Sequence, residues 1–492
     1  MKKILSLTMV VIAALAAASA QAQPADPLKA AVQKAIQTNP EVTARFNSFR
    51  ASENEIDVAR GAYYPRVDLN ADVGRSRDRF DSRVPPDQSL SRHGVGVSVT
   101  QLLWDGWATR NDVSRLDHAR SSRYFEFVEA TEQTALEAAR AYYDVLRYRR
   151  LVQLAEDNYV QHKASFDQIQ SRFKAGVGRG VDTEQAGARL ALAESNLATE
   201  IANLHDVTAR YQRVIGEAPP VQARIDAGLK DGLPPSAADA QRQATVRNAA
   251  ITAAIENLRA VRSQADVQRS AFQPRVEARA RTSDGRNLNG QFDQSRDTAA
   301  EIVLSWNLFR GGSDRARVRQ FADLVTQAAD QRDRACRDAR QTASIAYNDT
   351  GKLADQLGYL QRNVGAIERA RDAYRQQFDI GQRSLLDLLN AENEVYTSRR
   401  AYANAEHDLR IAYVRTHAAT SRLTAALGLS RIETGAASIE ADFQAGEDAA
   451  ARCPVADVVP TSTPMNELDA RAKALSASRA QAAPTPPATP SR

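Results

Sequence analysis

The residues whose types could do chemistry are few, and most fail on spacing. The six histidines, His93, His118, His162, His205, His407 and His417, have no metal-ligand spacing and no neighbouring cysteine. They read as exposed helix or loop positions. Gly176-Val-Gly178-Arg-Gly180 resembles a phosphate loop at first sight. It follows a helical pattern rather than a strand and lacks the Lys-Ser/Thr ending, so a helix–helix turn is expected. No catalytic constellation and no cofactor are implied. Cys336 lies in a helical pattern and Cys453 in a tail. They are able to pair in an oxidising compartment, but the favoured reading is one half-buried thiol and one loose one. There remains a polar stretch between two helical patterns, Phe378-Asp-Ile-Gly381-Gln-Arg383-Ser-Leu-Leu-Asp387-Leu-Leu-Asn390, with a shorter counterpart ending at Asp182. A carboxylate at the start of a helix favours the dipole.

The elements that must position these residues come in two copies. Lys2 and Lys3, the apolar run Ile4–Ala18 and a small-residue cleavage site form an export leader, residues 1–22. A first repeat spans 23–215. It has helices before about residue 60, strands near 63–74 and 94–104, a long helix near 107–175 and a return helix 181–215. A linker rich in paired prolines covers 216–235. The second repeat, 236–430, has strands near 272–283 and 298–309, a long helix near 312–379 and a return helix 385–428. The correspondence is residue by residue at constant spacing: Gly106 with Gly311, Arg110 with Arg315, Tyr142 with Tyr347, Phe173 with Phe378, Gly176 with Gly381, Asp182 with Asp387. Before the first strand pair, Asn39 matches Asn248 and Pro65 matches Pro274 at a slightly larger spacing, so the first hairpin loop, Arg75 to His93, is the longer one. The helix 107–175 holds no Pro or Gly and is roughly 100 Å long. Its apolar seam, Ala138, Ala141, Val145, Tyr148, Val152, Ala155 and Tyr159, has coiled-coil spacing. Residues 431–492, rich in Pro, Ala and Ser, read as a mostly disordered tail.

Each strand has two faces. Val67, Leu69, Ala71 and Val73 alternate with Arg66, Asp68, Asn70 and Asp72; Val276, Ala278 and Ala280 alternate with Arg275, Glu277, Arg279 and Arg281. Outside the leader no run is apolar enough for a spanning helix, so any membrane crossing is by strands. In lipid a sheet has to close on itself, and four strands are too few to enclose a lumen. Oligomerisation is therefore expected, with Arg66, Asp68, Arg275, Glu277 and Arg279 lining a wet bore. The net charge of +5 is too small to argue for nucleic acid.

The leader, the two repeats and the strand exits Leu-Leu-Trp-Asp-Gly and Asn-Leu-Phe-Arg-Gly-Gly resemble the TolC family of outer-membrane efflux proteins, over about Pro27 to Leu429. That resemblance implies an α+β membrane protein. Its homotrimer shares a twelve-stranded β-barrel in outer-membrane lipid, continued by an antiparallel α-helical coiled-coil tunnel in the periplasm. It implies an exit duct fed by a periplasmic adaptor and an inner-membrane ABC or proton-driven transporter, for type I protein secretion or small-molecule efflux. It also implies a periplasmic gate in which Gly381 and Arg383 match a Gly-x-Arg element and Asp387 an inward carboxylate. Arg383 would tie one helix pair to its neighbour near Asp182. Asn390 stands where the family often has a second carboxylate, which halves the expected charge of the gate. A coiled-coil envelope protein that transports nothing is the competing reading.

Overall fold

Alternation in the strand regions becomes a single antiparallel sheet in the order β1-β2-β3-β4: β1 (Arg66–Arg79), β2 (Asp87–Trp104), β3 (Arg275–Arg286) and β4 (Gln294–Ser305). The computed structural model describes residues 26–481 apart from 80, 83, 223–227, 288–292, 434, 457, 459 and 460. The expected leader, residues 1–22, lies outside the described residues. Register keeps the faces separate across the sheet: Val67, Val99, Ala280 and Ala300 stand in one row, and Arg66, Thr100, Arg279 and Glu301 in the next. The first pair is longer than the sequence pattern implied. Much of the expected loop 75–93 continues the ladder, from Arg75↔Ser91 to Arg79↔Asp87. Its polar side chains carry no apolar alternation, yet their backbones pair as readily as any.

The helices open with matched caps. Asn39 ends α1 (Pro27–Thr38) and accepts from the Glu41 N–H at 3.0 Å to start α2 (Pro40–Arg60). The long α3 (Ala108–Lys174) and the return helix α4 (Gly180–Ile215) follow. Asn248 repeats the cap between α5 (Ala237–Arg247) and α6 (Ala249–Arg269), accepting from Ala250 N–H at 3.0 Å. The side-chain oxygen of an N-cap Asn satisfies one of the orphan amides of the new helix. Then come α7 (Ser313–Asp379) and α8 (Leu385–Ala419). The second return helix stops at Ala419 rather than near residue 428: Ser421 takes φ 50°, and a short α9 (Leu423–Ala426) follows. The buried Glu132 of α3 holds α9 in place by accepting from the amides of Leu423 (2.9 Å) and Thr424 (3.4 Å). At the corner between sheet and α3, Gly106 has φ 68°, and a Cβ there would lie 2.4 Å from Cβ of Gln273. Only glycine fits that crossing.

The core sits where the elements converge. Leu28, Val32 and Ile36 of α1 bury against Ala138, Ala141, Tyr142 and Val145 of α3, Tyr211 and Ile215 of α4, and Val414 of α8. Part of the expected linker joins them through the buried Leu229. Val42, Phe49 and Ile56 of α2 are buried as their spacing implies; Val58 is exposed because it stands on the opposite side of that helix.

Where a mostly disordered tail was expected, the described residues up to Pro454 belong to the first of two units, which divide after that residue. This stretch contains α10 (Ala437–Asp442). Cys336 and Cys453 form a disulfide, so both cysteines are bonded and buried rather than one being loose. Phe443 packs on Phe125, Asp448 takes Arg259 at 2.9 Å, and Arg452 reaches Asp330 at 2.9 Å. Proline and alanine content hid these scattered anchors, each of which depends on a partner far away in sequence. Among the described residues the second unit carries one helix, α11 (Met465–Gln481).

Candidate gate and pore-lining face

Both long helices end in the same way. Gly176 and Gly381 take φ 76° and 77°, the left-handed turn that closes a helix C-terminus. Gly176 N–H donates to Phe173 O (2.9 Å) and Val177 N–H to Arg172 O (3.0 Å); Gly381 N–H donates to Phe378 O (3.0 Å) and Gln382 N–H to Gln377 O (2.8 Å). Gly178 is needed for close packing, since a Cβ would lie 2.7 Å from Phe173 N. The glycine run is thus a helix–helix turn. Ile169, Ala186, Leu385 and Leu389 form a small core that joins the two hairpin tips.

On α8 the cap is Ser384, whose hydroxyl accepts from Asp387 N–H (3.2 Å) and donates to Asp387 Oδ2 (2.9 Å). That hydroxyl first, and the Arg383 guanidinium after it, hold the Asp387 carboxyl below the usual range. Arg383 reaches Asp387 Oδ2 at 3.5 Å, donates to Gln377 Oε1 at 3.0 Å and stacks 4.4 Å from the Tyr374 ring centre. Within the chain its acid partner is therefore Asp387. Asp182 lies half-buried in the first turn of α4, its N–H on Arg179 O at 3.2 Å. Asn390 accepts from Arg189 of α4 at 2.6 Å.

Sequence reasoning missed the charges one step deeper. Glu392, 5% exposed, takes Arg371 at 3.1 Å and also Arg375 of α7, and Arg375 donates to Gln161 of α3 at 2.9 Å. The available signal was Arg371 and Arg375 one helical turn apart on a helix otherwise read only for its apolar seam. The histidine reading needs correcting as well. His162, His407 and His417 are buried, and burial lowers the pKa of each. His417 Nε2 lies 3.0 Å from Leu229 O, and His118 Nδ1 lies 2.7 Å from the buried Glu256. A neutral imidazole packs as a small amphipathic ring, and its type gives no hint of which helix will cover it. His93 and His205 are exposed as expected.

The structure brings the expected lumen residues onto one face. Arg66 pairs with Asp68 (2.8 Å), and Glu277 lies between Arg275 (2.6 Å) and Arg279 (2.8 Å). Arg66, Arg275, Glu277 and Arg279 border a recess of about 780 Å³ with Thr100 and Glu301. The other face is apolar and bare: Leu69 is 70%, Ile302 73% and Leu304 62% exposed. A polar face in a wet recess behind a bare apolar face is the signature of barrel strands.

The family profile described as outer membrane efflux protein matches residues 31–217 and 240–422. The chain belongs to the outer membrane efflux protein family. This efflux-family protein is 25% identical over 407 residues to the outer membrane efflux protein BepC of Brucella suis, covering 82% of this chain and 87% of that one. It is 24% identical to the alkaline protease secretion protein AprF of Pseudomonas aeruginosa, covering 77% and 81%. Its fold is similar to that of the Campylobacter jejuni CmeC outer membrane channel, with a TM-score of 0.74 at 13% identity over 85% of this chain and 89% of that one. As a member of this family it is an outer-membrane channel, its sheet in the membrane and its helices in the periplasm.

Proposed function

We propose that three copies close one twelve-stranded barrel and that the trimer is the passive exit of a tripartite exporter. An inner-membrane ABC or proton-driven transporter would feed it through a periplasmic adaptor. The observation that carries this reading is the open sheet. β1 and β4 each have one paired edge, and their outward face is apolar. Unpaired amides are not tolerated in lipid, so the edges require neighbours, and β1 of one copy next to β4 of another closes a ring without new elements. Protein secretion and small-molecule efflux both remain within this reading, since relatives of both names match. The energised partner, rather than the duct, selects the cargo.

At the periplasmic end, the proposed gate consists of Gly381, Arg383, Asp387 and Asn390 together with Asp182. Three Asp387 carboxylates would ring the entrance and disfavour anions. Two charges about 8 Å apart in water repel by only roughly 0.5 kcal/mol, so the ring biases ions while packing at Leu385 and Leu389 shuts the passage. Arg383 holds Asp387 with an exposed pair worth about 0.2–1 kcal/mol, a link that a docking partner can offset. Single-channel recording in planar bilayers tests both levels. Conductance at all supports the duct, and Asp387→Ala is expected to reduce cation preference and divalent-cation block. Unchanged selectivity would remove the ring from the account, and absence of conductance would remove the duct.

A further inference from the structure

On the lipid-facing side of the sheet the chemistry changes abruptly with height. On β1 the outward residues run Val67, Leu69, Ala71, Val73 and then Arg75, Arg77, Arg79. On β4 the same face runs Leu304, Ile302, Ala300, Thr298 and then Arg296, while β3 ends its face on Arg286 beside His93. The opposite limit of the apolar band is aromatic, with Trp104 and Trp306 near the helices, as at a membrane–water interface. The helices leave from that end and lie in the periplasm, so the arginine tier lies at the exterior boundary. From Leu304 to Arg296 the face rises roughly 21 Å, at about 3.4 Å per residue and a tilt near 40°. That height is close to the roughly 25 Å apolar band of an outer-membrane barrel and puts the arginines at headgroup level.

We propose that Arg75, Arg77, Arg79, Arg286 and Arg296 form an outward-facing collar that binds the phosphate groups of the glycolipid in the outer leaflet. All five side chains are exposed. Arg75 is bonded to a hydroxyl, Ser89 Oγ at 3.0 Å. The others have exposed or rim carboxylates: Asp87 at 4.0 Å from Arg77, Asp81 at 3.1 Å from Arg79, Asp293 at 3.3 Å from Arg286 and Asp284 at 2.9 Å from Arg296. Ion pairs this exposed are weak, whereas a guanidinium meets a phosphate with two parallel hydrogen bonds. The phosphates therefore compete well for these arginines. Charge complementarity and continuity with the lipid-facing band both favour a lipid headgroup over a soluble anion. The lumen-facing arginines, Arg66 and Arg281, lie behind the sheet and take no part.

The test uses the full-length protein in phosphatidylcholine nanodiscs doped with diphosphorylated or dephosphorylated lipid A, with retained glycolipid counted by native mass spectrometry. One basic residue near a charged surface is worth about a fivefold effect. The wild type is expected to retain the diphosphorylated form at least about fivefold better, and Arg75→Ser/Arg77→Ser/Arg296→Ser is expected to lose that preference. The same sites changed to Lys keep part of it, and Arg66→Ser/Arg281→Ser keeps all of it. Equal retention by the serine triple variant, equal loss in the lumen variant, or displacement by millimolar inorganic phosphate would overturn the collar. Conductance of the serine variant in planar bilayers is expected to match wild type, which separates failure of the collar from failure of the duct.

Discussion

The two long helices α3 and α7 are equal in length, at 67 residues each, and occupy equivalent places in the repeat, yet their surroundings differ. Buried positions on α3 run from Leu116 to Ile169, because α1, α2, α4, α6 and α8 all pack on it. On α7 the buried residues stop between Ala328 and Ala346. That is where α5, α6 and the disulfide-bonded segment around Cys453 cover it. Below Ala346 its seam residues Leu353, Leu357, Leu360 and Val364 are only half-buried, and Tyr359 is 60% exposed. A duplicated sequence has thus produced one helix that is finished inside the chain and one that is left for a neighbour. An apolar seam of this length, half open in one copy, fits the proposed trimer as well as the unpaired strand edges do.

The strongest way to break that comparison is a matched pair of truncations. Tyr142 of α3 is 1% exposed, and its counterpart Tyr347 of α7 is half-buried with its hydroxyl on Pro235 O at 3.0 Å. Tyr142→Ala is expected to cost about 3–5 kcal/mol and Tyr347→Ala about 1 kcal/mol, read by denaturant unfolding in detergent. Equal costs would show that the neighbour covers α7 as fully as the chain covers α3. Next in size, Cys336→Ser is expected to cost about 2–5 kcal/mol. Hydrogen exchange would show where: faster exchange of α7 around residues 328–346 and no change on α3. Uniform loosening of both helices would mean that the strap supports the whole body.

The smallest effect is in pH. Burial lowers the pKa of His162 on α3 and His407 on α8 from the ordinary 6.5, and α7 carries no histidine. Between the folded pKa and 6.5 the unfolded chain binds more protons, so stability is full above 6.5 and falls as pH drops below it. His162→Gln is expected to flatten that slope, measured as the unfolding midpoint between pH 7 and pH 5. A slope left unchanged would show that His162 is not what acid destabilises.

Much of this was legible in the chain because it depends on local periods. The strand faces and the two long helices follow from spacings of two and 3.6 residues, the glycine turn from the break in the helical pattern, and the repeat supported each reading a second time. The gate stretch was legible only through its resemblance to a family, and its in-chain partners were not. Arg383 on Asp387 stays within one turn of the tip, whereas Arg189 on Asn390, and Glu392 with Arg371 and Arg375, join separate helices.

By itself, then, the sequence determined the elements, their faces and their duplication, since each is set by neighbours a few residues away. The tertiary structure decided the Cys336–Cys453 bond across 117 residues, the burial of three histidines, the anchoring of the segment up to Pro454, and the unequal cover of α3 and α7. All of these depend on which helix lies against which. Pairings between residues so far apart leave no period in a single chain, and only the folded arrangement puts them side by side.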